Sequence, residues 1–155
     1  MSRTLSKQRE YETTLVLNPE LTDEQASETI DRLKEVLTRM KAELLREDRW
    51  GKKKLAYEVK KQVRGHYVLF HYVGPVGVVE ELVRMARNTE EVFRFLTTRL
   101  GEVHDIEAKR AEVEKMVKER AEKQRAAEKT REERADEEES EDDIESEMTP
   151  KEASA

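Results

Sequence analysis

The run Trp50-Gly51-Lys52-Lys53-Lys54 sets one indole and three ammonium groups within five residues. An aromatic ring can stack on a base or ribose while ammonium groups neutralise neighbouring phosphates, so this run has the chemistry of nucleic-acid contact. The same residues on an edge strand would act as gatekeepers that block strand addition. Arg9, Arg94 and Arg99 could add guanidinium forks for phosphate, although arginine at an exposed strand position is ordinary.

The remaining reactive side chains point away from catalysis. The chain has no cysteine, which removes disulfides, thiol nucleophiles and thiolate metal sites and fits a reducing compartment. His66 and His71 stand five apart in an alternating run, so they fall on opposite faces of a strand and cannot chelate one metal there; His104 is remote from both. No glycine-rich phosphate loop is present, and no serine, acidic pair or histidine has a recognisable catalytic spacing. The expectation is a protein that is not an enzyme and carries no cofactor or metal.

These side chains need a scaffold, and the charge distribution says where it lies. Of 155 residues, 43% are charged; the first hundred carry a net charge of +3 and the rest −9. Nearly all β-branched and aromatic residues precede Leu100, so the last third cannot bury enough apolar surface to offset its own ordering. The N-terminus is polar, without the apolar stretch of a signal peptide, and no window approaches the roughly 20 apolar residues of a membrane span. The expected location is the cytoplasm.

Tyr11 to Leu17 is rich in strand formers and is stopped by Asn18-Pro19. Thr22 and Gln25 have the spacing of a capping box, and Ala26, Ile30, Leu33 and Leu37 follow as one apolar stripe, so a helix starts there and runs to about Met40. Leu44–Trp50 and Leu55–Val59 form a basic, strand-like stretch with a bend or bulge expected at Gly51. After a polar turn over residues 60–65, His66–Val73 alternates, with Val68, Phe70 and Tyr72 on one face and Tyr67, Leu69 and His71 on the other. Gly74-Pro75 ends that strand. Val79, Leu82, Val83 and Ala86 give a second helix closing near Asn88, and Val92–Leu100 supplies the last strand.

The order strand, helix, strand, strand, helix, strand is the split βαβ arrangement, an α+β class, ferredoxin-like βαββαβ fold: a four-stranded antiparallel sheet with two helices on one face. The opposite face is left as a docking surface for a partner. Arg64 to Phe70 superficially resembles the signature of RNA-recognition motifs, but its aromatic positions align with core residues, so stacking from that strand is not expected. Small acyl-phosphate hydrolases share the element order; they need a glycine-rich anion loop, and residues 18–22 offer acid and no glycine.

Beyond the domain, residues 102–134 carry ten basic and ten acidic residues, as in a solvated helix. Val103, Ile106, Val113 and Val117 are near a heptad spacing that stops after barely two repeats. Asp136–Glu147 has nine acids in twelve residues and is expected to stay disordered through self-repulsion. The expected organisation is a flexible arm (1–9), a ferredoxin-like domain (10–100), a charged helical extension (101–134) and an acidic disordered tail (135–155).

Tyr11-Glu12, Trp50-Gly51, Leu55-Ala56-Tyr57, Gly65-His66-Tyr67 and Val92-Phe93-Arg94 together make residues 9–100 closely resemble the bacterial small-subunit ribosomal protein S6 family. The most specific element is the Trp-Gly-basic-basic-x-Leu-Ala-Tyr run. The resemblance implies a ribonucleoprotein component of the small ribosomal subunit that binds ribosomal RNA of the central domain as a heterodimer with ribosomal protein eighteen and supports assembly and translation. It makes Arg9, Lys52, Lys53, Lys54 and Arg94 rRNA candidates; Trp50 joins them by its stacking chemistry and Arg99 on charge alone, and Tyr67, Leu69 and Leu96 are candidates for the protein-partner face on the open side of the sheet. The chain departs from the family pattern at Glu58, where proline is common, and in its long tail. The rival reading is a protein-only interaction adaptor using the open sheet face.

Overall fold

The structure is a computed structural model that describes residues 8–147, with side chains described through residue 130. Most of the expected arm (1–9) and the last eight residues of the expected tail lie outside the described residues.

The elements are β1 (Gln8–Leu17), α1 (Asp23–Arg39), β2 (Glu43–Val59), β3 (Gln62–Gly74), α2 (Val78–Asn88), β4 (Val92–Val103) and α3 (Ile106–Glu147). The four strands form one sheet in the order β2-β3-β1-β4, and every neighbouring pair is antiparallel. This is the ferredoxin-like fold expected from the element order.

Alternation along each strand sends one set of side chains towards the two helices. Tyr11, Leu15 and Leu17 of β1 and Val68, Phe70 and Tyr72 of β3 pack with Ala26, Ile30, Leu33 and Leu37 of α1 and Val78, Leu82 and Ala86 of α2. Each fully buried aliphatic or aromatic side chain contributes about 1.5–3 kcal/mol relative to exposure. Hydroxyls in this layer satisfy one another: that of Thr13 lies 3.0 Å from the Tyr72 hydroxyl and 2.8 Å from that of Thr97, a chain crossing three strands. Burial pushes the Tyr72 phenol up to about 12.

The capping box on α1 is realised: the Gln25 amide donates to Thr22 Oγ1 at 3.3 Å and the Thr22 amide to Gln25 Oε1 at 3.1 Å. The turn expected over 60–65 is tighter. Lys60 and Lys61 alone make it, both with left-handed φ (50° and 64°), and Val59 pairs with Gln62. β2 is one continuous strand with register shifts, one of them between Arg49 and Gly51, where Gly51 takes φ +74°.

Two features of the C-terminal part differ from expectation. The compact unit extends through Val113, because the start of α3 packs on the sheet face that the helices α1 and α2 leave open. There the Lys109 ammonium lies 3.2 Å from Glu10, Arg110 pairs with Glu43, and Val113 is buried. Helix also continues through Glu147 across the acidic run expected to be disordered; Glu and Ala have high intrinsic helix propensity, which acts locally and is indifferent to the absence of a core. From Glu114 onward the chain is a separate unit, with i,i+4 pairs such as Glu114–Lys118 at 2.7 Å.

Candidate nucleic-acid interface

Cross-strand partners share a face, so the register sets the open face out in rows. Gly51, Tyr67, Val16 and Arg94 form one row; Asp48, Leu69, Thr14 and Leu96 form the next. Arg46, His71, Glu12 and Thr98 follow, and then Glu43, Val73, Glu10 and Gly101. The start of α3 lies on the last row, through Glu10 and Glu43. Beneath it His71 Nε2 meets Glu10 Oε1 at 2.7 Å.

The first row is the opposite case. Trp50 sits in the bulge beside Gly51, and its ring stacks on Tyr67 with centroids 6.4 Å apart and planes 19° from parallel. The Lys53 ammonium lies 5.1 Å from the Trp50 ring centroid, a distance at which a cation is attracted by the ring's electron-rich face. Trp50 remains 45% exposed, so this aromatic pair is accessible and not part of the core.

The pleat divides the three lysines. Lys53 pairs with Gly65 on the open face, whereas Lys52 pairs with His66 and Lys54 with Arg64 on the face that carries the helices. His66 is buried and its Nδ1 has no partner. Burial, opposed by Asp23 and reinforced by Lys52 and Arg49, holds its pKa below the ordinary value of 6.5.

Lys52, Lys53, Lys54, Arg64 and Arg94 are all exposed, and among the described residues none has a carboxylate partner. Several cations elsewhere are neutralised, Lys34 by Asp31 and Glu47 at 2.7 and 2.9 Å, Arg39 and Arg84 by Glu81 at 2.7 Å, Arg46 by Asp48 at 3.0 Å, whereas Arg32, Lys41, Lys61 and Arg87 are exposed and, like the five, have no carboxylate partner among the described residues. The Lys34 pairs raise its own pKa and lower those of Asp31 and Glu47. Of these five, Lys53 and Arg94 share the open face with the Trp50–Tyr67 stack, and Lys52, Lys54 and Arg64 lie on the reverse of the β2–β3 hairpin.

Of the rRNA candidates, the fold therefore brings together Trp50, Lys53 and Arg94 on one face at one end of the sheet, with Lys52 and Lys54 on the reverse of the same hairpin. Arg9 and Arg99 are not part of this group. Arg9 pairs in register with Gly74 and Glu102, and Arg99 with Tyr11, at the other end of the sheet and on the helix-bearing side. Five residues separate Arg94 from Arg99 along β4, about 17 Å at a strand's rise. Arg99 is engaged by Glu102 at 3.2 Å, and Arg9 is half-buried with its Nε unpartnered. The partner-face candidates occupy the first two rows, but unequally: Leu96 is 68% exposed, Tyr67 is partly covered and Leu69 is buried.

Sequence reasoning missed Arg64 and the pairing of Tyr67 with Trp50. Both follow from the β2–β3 register, which depends on a bulge and a two-residue turn. A signal existed only in Gly51 and in the adjacency of Lys60 and Lys61 between two strand-like runs. Among the described residues no group of His, Asp or Glu could hold a metal ion, and no helix is long and apolar enough to cross a membrane.

The sequence profile of the ribosomal protein S6 family matches residues 10–99. Small ribosomal subunit protein bS6 of Solidesulfovibrio magneticus is 40% identical over 94 residues, covering 61% of this chain and 92% of its own. The bS6 protein of a Nitratiruptor species is 43% identical over 115 residues, covering 74% and 86%. The crystal structure of 30S ribosomal protein S6 from Thermotoga maritima matches with a TM-score of 0.58 at 28% identity, covering 70% of this chain and 99% of that one.

Proposed function

The chain belongs to the ribosomal protein S6 family, and from that premise we propose that it contacts central-domain ribosomal RNA through the Trp50 end of its sheet, in partnership with ribosomal protein eighteen. It is a structural, non-enzymatic constituent of the small ribosomal subunit. Its work is assembly and scaffolding.

The observation that supports the RNA contact is the accessible Trp50–Tyr67 pair with Lys53 and Arg94 on its face and Lys52, Lys54 and Arg64 on the reverse of the same hairpin, all five exposed and, among the described residues, without carboxylate partners. Cations already bound to carboxylates contribute little to phosphate binding, because their counterions are part of the protein; unpaired ones release bound salt ions from the RNA. Arg9 and Arg99 form a second contact at the far end, dependent on release of Arg99 from Glu102. The net charge of +3 over the first hundred residues is modest for an RNA binder acting alone, so a partner shares the contact. Protein eighteen docks on the open rows at Tyr67 and Leu96, with Leu69 as their buried support. The first part of the charged extension, through Val113, belongs to this domain, the chain from Glu114 on forms a unit of its own, and the location is the ribosome in the cytoplasm.

The experiment measures binding of a central-domain rRNA fragment at two salt concentrations, with and without protein eighteen. The native chain is compared with Lys52, Lys53, Lys54 and Arg94 replaced by Ala. The expected result is weak binding alone, much tighter salt-sensitive binding with the partner, and loss in the variant. Equal affinity with and without protein eighteen overturns the partnership. Unaltered binding by the variant moves the RNA surface elsewhere, and no binding under any condition favours a protein-only adaptor.

A further inference from the structure

We propose that Trp50 is a stacking platform for one unpaired RNA base; this rests on the RNA contact above and narrows it from phosphate neutralisation to capture of a single-stranded nucleotide. Observations at this end of the open face carry the inference.

The bulge at Arg49/Gly51 takes Trp50 out of the regular ladder, and its ring stacks on Tyr67 with planes 19° from parallel, a contact that restrains it. A ring already held in place loses little freedom when a base adds to it. The indole keeps 45% of its surface exposed, although burial would be the ordinary fate of the chain's sole tryptophan.

The charge around the ring selects the occupant. Lys53 stands over the indole at 5.1 Å, and Arg94 is on the same face. A nucleotide is flat and apolar on its base and anionic at its phosphate. The base would displace the Lys53 ammonium from the ring, leaving that charge beside the backbone phosphate. An apolar protein side chain would satisfy the ring and leave the cations unpaired. A base in a duplex has both faces covered by its neighbours, so the ligand is a looped-out or single-stranded nucleotide.

The test uses the full chain carrying 5-fluorotryptophan, which labels one position because the sequence has one tryptophan, in complex with protein eighteen. Fluorine NMR follows Trp50 as protein eighteen and then the central-domain RNA fragment are added; labelled RNA reports affinity in parallel. The expected result is a resonance shift on adding RNA. Trp50→Leu is expected to bind about tenfold more weakly with an unchanged salt dependence, since stacking releases no ions, and Trp50→Phe to retain most of the affinity. Lys53→Ala is expected to lower the slope of log affinity against log salt by about one.

RNA binding without any shift of the Trp50 resonance, and with Trp50→Leu binding as the native chain does, overturns the stacking and leaves the RNA contact standing. A shift complete on adding protein eighteen, unchanged by RNA, overturns it in favour of a protein contact at the ring. Failure of the native complex to bind the RNA at all overturns both readings.

Discussion

The Lys109 ammonium lies 3.2 Å from Glu10 Oε1, the same oxygen that His71 Nε2 meets at 2.7 Å. A residue of α3 thus completes a polar cluster buried in the second face of the sheet, and Val113, four residues further on, is buried with it. The beginning of α3 belongs to the domain energetically although it follows the last strand.

Val113→Ala is accordingly expected to destabilise the protein by about 2 kcal/mol, from two lost methyl groups and incomplete collapse around them. Val117→Ala, 39% exposed, is expected to stay within about 0.5 kcal/mol of the native chain. Urea unfolding of the two variants distinguishes a docked segment from a free helix, for which both changes would be small.

Gly65 is a packing requirement. A Cβ there would run into Val16 Cγ1 and come within 3.3 Å of Leu55 Cδ2, whereas one at Gly101 would meet nothing within 4 Å. Gly65→Ala is expected to cost about 1–3 kcal/mol through overpacking, and Gly101→Ala to be close to neutral. Thermal unfolding of the pair checks this.

The turn at Lys60-Lys61 places two lysines in left-handed backbone, which costs an L-residue with a Cβ roughly 1–2 kcal/mol relative to its preferred conformations. Replacing the pair by Asn-Gly, suited to a two-residue hairpin with both φ positive, is expected to stabilise the protein by about 1 kcal/mol or more. Denaturant midpoints would show no gain if the cation–π contact of Lys60 with Phe93, at 4.8 Å, offsets the strain.

His66 gives stability a pH dependence. Burial is the main cause of its lowered pKa, so between that folded value and the unfolded value of about 6.5 the unfolded chain binds more protons. The contribution is fully present above the unfolded value and is lost as pH falls through the folded one. Unfolding free energies of native protein and His66→Gln, measured from pH 7.5 to 5, are expected to diverge in slope: the native chain loses stability more steeply on acidification. Parallel curves would show that His66 titrates alike in both states.

The local code was readable where the cause is local. The Thr22–Gln25 capping box, the apolar stripe on α1 and the alternation through Val68, Phe70 and Tyr72 each depend on residues close in the chain, and they sufficed for element order and fold. The Trp50–Lys54 run was visible as chemistry for the same reason. Glu47 and Arg49 were not legible as partners of Lys34 and Ser27, since those contacts join β2 to α1 across the packed layer.

Composition and spacing thus determined the strands, the two packed helices, the family resemblance and the basic character of one hairpin. The tertiary structure decided which cations act together. A single bulge and a two-residue turn put Trp50 on Tyr67 and Lys53 over Trp50, turned Lys52 and Lys54 to the reverse side, and left Arg9 and Arg99 at the far end. It also decided that Val113, beyond the last strand, is buried in the domain. Register and docking are set by long-range pairing, in which one extra residue flips every side chain that follows, and no short stretch of sequence contains that information.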